Sequence, residues 1–162
     1  MGKVQDALVT VTSENRFELL YREHGGRLWR AVAAFTGNRE VADDAVAEAF
    51  AQALGRGDEL RDPIGWIWRT AFRIAAGELK RRGPASDLVG DVAYEDAEPL
   101  TDVLDALAKL SPKQRAAVLL HHYAGYPVKE VAEIVGSSSA AVRVHLNRGR
   151  NRLRELLGDD DA

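Results

Sequence analysis

The sequence contains no cysteine among its 162 residues. A disulfide framework, a thiolate metal site, a cysteine nucleophile and a thiol redox sensor are therefore excluded. Long hydrophobic runs are also missing: no apolar stretch approaches the roughly 18 residues of a membrane span, and the N-terminus has no basic start followed by an apolar segment. These absences predict a cytoplasmic protein without membrane insertion.

Catalytic patterns are lacking as well. No Ser/His/Asp set, carboxylate pair or phosphate-binding loop stands out, so we expect no enzyme activity. The adjacent His121 and His122 form a weak metal candidate, because neighbours on a helix point about 100° apart and no third ligand is near them in the sequence. We therefore expect neither a metal nor a cofactor.

Charge is unevenly distributed along the chain, whose formal net charge is −3. Residues 83–108 contain seven acidic side chains and no Lys or Arg, whereas 109–155 is clearly basic. Net charge averages over segments that can face different partners, so the overall acidity does not exclude nucleic acid.

Apolar residues recur at helical spacing and no strand pattern stands out, which predicts an all-α fold. Three helices, at 14–35, about 39–54 and 63–82, form an N-terminal domain after a flexible end at 1–13, with Ser13 as the first plausible cap. Residues 83–99 have the composition of an acidic linker. Four helices at 100–157 form a second domain, followed by an acidic tail at 158–162. Its second helix is predicted to begin with a capping box at Ser111 and Gln114.

The second predicted helix has one apolar and one acidic face. Asp44 and Glu48 stand at i and i+4, where they repel each other and phosphate, so a basic protein surface is a better partner than nucleic acid. The alternative is that these acids only solvate the helix.

Aromatic and basic residues interleave in the third predicted helix. A helical wheel turns Trp66 toward the apolar side and Trp68 away from it. An outward Trp68 beside Arg69 and Phe72 would suit stacking on unpaired bases. Core packing of the aromatics is the alternative.

The last third of the chain has the pattern of a helix-turn-helix, with a short amphipathic helix, a break at Gly136, serines and a basic helix. On a wheel centred on Val142, the residues near the buried side are Leu146, Gly149, Leu153, Leu156 and Leu157. The opposite side and the preceding serines suit a major groove, since Arg pairs with guanine, Asn with adenine and small apolar groups with the thymine methyl. This set is Ser138, Ser139, Ala140, Ala141, Arg143, Val144, Asn147, Arg148 and Asn151.

Three segments together resemble the extracytoplasmic-function (ECF) group of the sigma-70 family of RNA polymerase sigma factors. Similarity to the region 4 pattern extends over the segment LDALAKLSPKQRAAVLLHHYAGYPVKEVAEIVGSSSAAVRVHLNRGRNRLREL. The segments ADDAVAEAF and DPIGWIWRTAFRIA resemble regions 2.2 and 2.3/2.4. The resemblance covers about residues 14–157, with 14–82 as region 2 and 100–157 as region 4.

The resemblance implies a subunit that binds core RNA polymerase, recognises a promoter and melts it. It implies that core polymerase contacts Asp43, Asp44, Glu48 and Phe50. The −10 element would be captured by Arg56, Asp58, Arg61, Trp66, Trp68, Arg69, Phe72, Arg73, Lys80 and Arg81, and the −35 element by the outward set of the last helix. It further implies a monomer when free and an anti-sigma factor as a partner. The alternative is a stand-alone helix-turn-helix regulator.

The acidic linker has a second interpretation within this resemblance. In the family the linker runs through polymerase toward the active-site cleft, so its acids could mimic RNA electrostatically. The residues concerned are Asp87, Asp91, Glu95, Asp96 and Glu98. A solvated tether is the alternative.

Overall fold

The computed structural model describes residues 2–82 and 98–158, and this part of the chain is helical without a strand. Its helices are α1 (Gly2–Thr36), α2 (Arg39–Arg56), α3 (Pro63–Arg82), α4 (Glu98–Ala108), α5 (Pro112–Val118), α6 (Val128–Val135) and α7 (Ser139–Leu157). A 3-10 turn (Gly57–Glu59) follows α2, and a π-helical turn (Leu119–Tyr123) extends α5. The predicted all-α fold, with an N-terminal bundle (α1–α3) and a C-terminal bundle (α4–α7), is confirmed.

The first helix begins at Gly2, so the predicted cap at Ser13 is wrong. No Gly or Pro occurs between Lys3 and His24 to stop it. Once the packed part of α1 has formed, each further residue adds a hydrogen bond, and the helix extends upstream. The linker acids Asp87, Asp91, Glu95 and Asp96 and the tail beyond Gly158 lie outside the described residues.

The N-terminal bundle packs closely because α2 presents small side chains to its neighbours. Ala42, Ala45, Ala49 and Ala53 are fully buried, as the apolar stripe predicted. Asn38 caps α2, its side chain accepting a hydrogen bond from the Val41 amide at 3.1 Å. Such N-caps satisfy one of the unpaired amides of a first helical turn.

The helix-turn-helix is present, with the predicted breaks and caps. Gly136 ends α6 in the left-handed conformation with φ 67°, which glycine adopts without a steric penalty. Ser138 caps α7 and accepts from the Ala141 amide at 3.1 Å. The capping box of Ser111 and Gln114 also forms at the start of α5.

The two bundles pack against each other through a buried arginine that the sequence did not reveal. The Arg115 guanidinium donates to the carbonyl oxygens of Leu107 (2.8 Å), Ala108 (3.2 Å) and Leu110 (2.9 Å) in its own bundle. Its fourth hydrogen bond, at 2.6 Å, goes to the Phe35 carbonyl at the end of α1. Burial lowers the pKa of Arg115, because removal from water disfavours the cation.

The basic last helix lies against α5 at Gly149. A Cβ added there would come within 2.9 Å of Val118 Cγ2, on a buried side chain with little freedom to move. By contrast, a Cβ added at the exposed Gly77 of α3 would meet nothing within 4 Å. The absence of a side chain at Gly149 therefore permits the close approach of the two helices.

We predict that Gly149→Ala lowers the free energy of unfolding by about 1–3 kcal/mol through overpacking, despite the better helix propensity of alanine. The matched control Gly77→Ala should raise it by up to about 1 kcal/mol. Urea unfolding followed by circular dichroism measures both. Equal stabilisation by the two substitutions would show that α5 and α7 do not approach this closely.

Candidate functional site

The outward face of α7 carries the residues predicted to contact duplex DNA. Arg143, Val144, Asn147, Arg148 and Asn151 are exposed. Ala140 and Ser138 are exposed as well, while Ser139 and Ala141 are half-buried. The structure thus brings this whole set to the N-terminal part and outer side of one helix.

The opposite side of α7 packs into the C-terminal bundle. Val142, Leu146 and Gly149 are buried, while Leu153 and Leu156 are half-buried. The prediction is wrong for Leu157, which is 45% exposed. Leu157 lies in the final turn, and a terminal turn has helical neighbours on one side only.

The acidic face of α2 is solvent-exposed, as its pattern predicted. Asp43, Asp44 and Glu48 are exposed along it. Phe50 is half-buried and makes an edge-on ring contact with Tyr21, at 5.1 Å between centroids. The four residues therefore share α2, but Phe50 stands closer to the core than the acids do.

Asp43 is held in place by a tryptophan that sequence reasoning missed. Trp29 Nε1 in α1 donates to Asp43 Oδ1 at 2.6 Å. The Arg39 guanidinium lies over the Trp29 ring at 5.6 Å from its centroid. Trp29 is half-buried in α1, and the sequence pattern of α1 does not indicate that this side chain contacts Asp43 in α2.

The segment from the end of α2 to the start of α3 collects several residues of the predicted −10 set. The Arg56 guanidinium lies over the ring of half-buried Trp66 at 5.2 Å, a cation–π arrangement. Asp58 pairs with Arg16 at 3.5 Å, and Arg61 is exposed. A base could therefore reach an aromatic ring that already has a cation beside it.

The C-terminal half of α3 presents the cations of the same set. Arg73, Lys80 and Arg81 are exposed. Arg81 bonds to Glu78 at 2.6 Å, and this bond, with help from Arg82, lowers the pKa of the Glu78 carboxyl. Arg81 is therefore partly neutralised by its own helix, whereas phosphate contacts depend on free cations.

Trp68 and Phe72 do not project outward, and this prediction is wrong for the structure. Their exposed fractions are 4% and 3%. Their rings stack at 6.1 Å with 10° between planes, and Phe72 also contacts Phe35 at 5.2 Å. The helical-wheel prediction gave α3 a single buried side, whereas α3 packs on α1 and α2 and also on α6. Both rings therefore lie in the core, which is the alternative stated for these aromatics.

A turn of the C-terminal bundle reaches these aromatic rings. The Tyr126 ring meets Trp68 edge-on, 5.9 Å away with 67° between the planes. Burial, with smaller contributions from Asp62 and Glu130, raises the pKa of Tyr126 to about 12, so the phenol stays neutral at physiological pH. Arg69 Nη2 of α3 also pairs with Glu133 Oε2 of α6 at 3.5 Å.

A second contact joins α1 to the π-helical turn. Arg27 donates to the Tyr123 carbonyl and lies over the Tyr123 ring at 5.2 Å. Arg30 Nε donates to the Tyr123 hydroxyl at 3.1 Å. Beside this contact, an apolar cleft opens between the bundles and is lined by Trp29, Val103, Leu107 and Leu119 among others.

The described residues contain no group of three or more His, Cys, Asp or Glu side chains that could hold a metal. His121 and His122 lie edge-on at 4.9 Å, and His121 Nδ1 is 2.8 Å from the Tyr126 carbonyl oxygen. Burial first, then His121 and Arg150, lowers the pKa of His122. In the same part of the chain, no helix has the length and apolarity needed to cross a membrane.

Comparison with known proteins shows similarity to sigma factors. Residues 100–153 match the family model described as sigma-70, region 4. The chain is 30% identical over 157 residues to the ECF RNA polymerase sigma factor SigM of Mycobacterium tuberculosis, covering 88% of this chain and 77% of SigM. It is 28% identical to SigE of Mycolicibacterium smegmatis over 85% of this chain, but spans only 60% of the length of SigE.

A solved structure shows the same arrangement of helices. The sigma factor RpoE of Bartonella quintana, crystallised with the anti-sigma factor NepR, superimposes with a TM-score of 0.70 at 25% identity. The match covers 87% of this chain and 98% of RpoE.

Proposed function

The chain belongs to the ECF sigma factors of the sigma-70 family, and on that premise we propose that it binds core RNA polymerase, directs it to a bipartite promoter and helps to melt the −10 element. The observation that carries this proposal is the presence, on separate helices of one chain, of an acidic face and a helix-turn-helix reading face. A stand-alone helix-turn-helix regulator would account for α6 and α7 but not for the similarity over the N-terminal bundle.

We assign residues 14–82 to region 2, 100–157 to region 4 and 83–97 to the linker between them; residues 98 and 99, expected in the linker, are the first two of α4. In region 4, the exposed face of α7 reads the −35 duplex. Support comes from its side chains, since Arg148 and Asn147 can make the paired hydrogen bonds that distinguish base edges in the major groove. The Ser138 end of α7 presents helical amides to a phosphate.

In region 2, the acidic face of α2 docks on polymerase through Asp43, Asp44, Glu48 and Phe50. Carboxylates on an exposed helix repel DNA, so this face turns toward protein. The turn and helix from Arg56 to Arg81 hold the −10 element, with Trp66 and Arg56 as the stacking pair accessible in the structure. Melting needs no nucleotide hydrolysis where captured and stacked bases offset an unstacking cost of a few kcal/mol.

Two further assignments follow from the family. A cytoplasmic site of action is proposed because bacterial transcription takes place there. We also propose an anti-sigma factor as a partner, supported by the RpoE–NepR complex and by the apolar cleft around Trp29 and Leu119. An apolar helix entering that cleft would contact both bundles at once.

Run-off transcription with purified core polymerase tests the proposed function, and two variants test its division between surfaces. The wild-type chain should give promoter-specific transcripts only with core enzyme. Asp44→Arg should lose affinity for core polymerase, because it reverses charge on the docking face. Arg148→Ala should keep core affinity but lose about 1–3 kcal/mol of discrimination at one −35 base pair.

Tight operator binding by the isolated chain without stimulation of core enzyme would refute the sigma-factor proposal. Equal loss of core binding by Asp44→Arg and Arg148→Ala would refute the division of labour instead. Titration of fluorescent core polymerase and a −35 mutation series separate the two outcomes.

Trp29→Phe should weaken core binding by about 2- to 10-fold, because it removes the hydrogen bond of roughly 0.5–1.5 kcal/mol that orients Asp43 while retaining a ring near Arg39. In the Asp43→Ala background, which lacks the acceptor oxygen, the same substitution should cost little more. Fully additive losses in this double-mutant cycle would show that Trp29 acts independently of Asp43.

A further inference from the structure

Gly77 is an exposed glycine in the interior of α3, and no contact within the described residues requires it. A Cβ added there would meet no atom within 4 Å, and Gly77 does not have a positive φ. Gly149 differs because Val118 excludes a side chain from it, and Gly136 differs because its φ is 67°. Glycine destabilises the interior of a helix relative to alanine. A residue that lowers stability without an internal gain is expected where a partner binds.

Gly77 lies in line with cations on the surface of α3. At about 100° per residue, Arg73, Gly77 and Lys80 fall within about 60° of each other around the helix. All three residues are exposed. Trp66, whose half-buried ring is beside the Arg56 guanidinium, continues the same line two turns nearer the start of α3. The bare backbone at Gly77 therefore separates two cations on a stripe that begins at an aromatic ring.

The two cations of this stripe keep their full charge. Neither Arg73 nor Lys80 forms an ion pair with any residue that the structure describes. Glu78 lies about 100° away from Gly77 around the helix and pairs with Arg81 at 2.6 Å and with Arg82 at 3.3 Å. A polyanion that reaches this part of α3 therefore finds uncompensated charge on both sides of Gly77.

The shape of the helix surface at Gly77 suits a single strand of nucleic acid. Arg73 and Lys80 are seven residues apart, which is about 10 Å along the helix axis. Their long side chains flank a shallow gap, and the floor of that gap is the backbone of Gly77. A sugar–phosphate chain that crosses the helix in this gap has a cation on each side of it.

We propose that one strand of the promoter crosses α3 at Gly77, with its sugar–phosphate chain against the helix backbone and its phosphates held by Arg73 and Lys80. This inference rests on the proposed function and deepens it, because it adds to the −10 surface a residue that binds through its lack of a side chain. Trp66 then lies where an unpaired base of the same strand can stack. Helix stability is lost at Gly77 in exchange for a close contact with the strand.

The test is binding of the reconstituted holoenzyme to fluorescent promoter DNA with an unpaired −10 segment, whose sequence is identified by run-off transcription sequencing. Gly77→Ala should weaken this binding about fivefold, the lower end of what overpacking costs, because the methyl group lifts the strand away from both cations. Gly77→Leu should weaken it by about tenfold or more. Both variants should bind core polymerase as the wild-type chain does, while Gly77→Ala should resist urea better than the wild type.

The salt dependence of binding is a second readout, which a purely structural role of Gly77 would not change. For single strands, the logarithm of the binding constant falls against the logarithm of the salt concentration with a slope of about 0.7 per neutralised phosphate. Gly77→Leu should therefore lower the slope by about 0.7 to 1.4, which corresponds to one or two phosphates. With Arg73→Ala and Lys80→Ala already present, Gly77→Leu should lower the slope little further.

Two matched controls isolate the contact. Gly26 is an exposed glycine in the interior of α1, where an added Cβ would meet only Arg30 Nη1, at 3.5 Å. Gly26→Ala should therefore stabilise its helix as Gly77→Ala does, but leave promoter binding unchanged. Arg82→Ala removes a cation that is paired with Glu78 on another side of α3, and it should lower the salt slope less than Lys80→Ala does.

The outcomes separate this inference from the proposed function. Wild-type promoter affinity and salt slope for both Gly77→Ala and Gly77→Leu, with normal run-off transcription by the wild-type chain, would overturn the contact at Gly77 alone. Equal weakening by Gly77→Ala and Gly26→Ala would do the same, because helix stiffening would then explain the loss. Failure of the wild-type chain to transcribe with core polymerase would overturn the function and the contact together.

Discussion

The buried cation of Arg115 holds together the C-terminal ends of α1 and α4 and the turn between α4 and α5. A buried charge is costly unless its hydrogen-bonding groups are satisfied, and here four backbone carbonyls meet that requirement. The Leu107 and Ala108 carbonyls end α4, and the Phe35 carbonyl lies in the last turn of α1. Helix C-termini carry partial negative charge, which suits a guanidinium. The position of α5, and through Gly149 that of α7, depends on this arrangement.

The packing of the helices determines which side chains of α2 and α7 are exposed. With α5 fixed, α7 turns Val142 and Leu146 inward, so Asn147 and Arg148 face solvent. The alanine stripe of α2 seats that helix on α1 and α3 and leaves its acids exposed. An exposed acidic face on α2 and an exposed basic face on α7 therefore coexist in a chain whose net charge of −3 indicates neither. Because the two faces lie on different helices, the proposed contacts with polymerase and with promoter DNA do not compete for the same side chains.

Local patterns predicted the elements well, and long-range packing caused the errors. Gly136 and the Ser111 capping box marked helix boundaries because their effects are confined to one turn. Trp68 was assigned to the wrong side because a wheel cannot show that α6 covers a second face of α3. The contacts of Arg115 and Trp29 could not be predicted from local sequence patterns either, since their partners lie in other helices. The start of α1 at Gly2 reflects helix extension without a stop signal.

The proposed function requires one chain to reach two separated promoter elements, although its two bundles are packed together in the structure. The absence of cysteine allows two thiols to be introduced without background, at exposed Ala51 in α2 and exposed Lys113 in α5. Pulsed electron paramagnetic resonance between nitroxide labels at these positions measures the separation of the bundles. We expect one short distance distribution in the free chain and a clearly longer one in the holoenzyme. An unchanged distance on binding core polymerase would contradict the account.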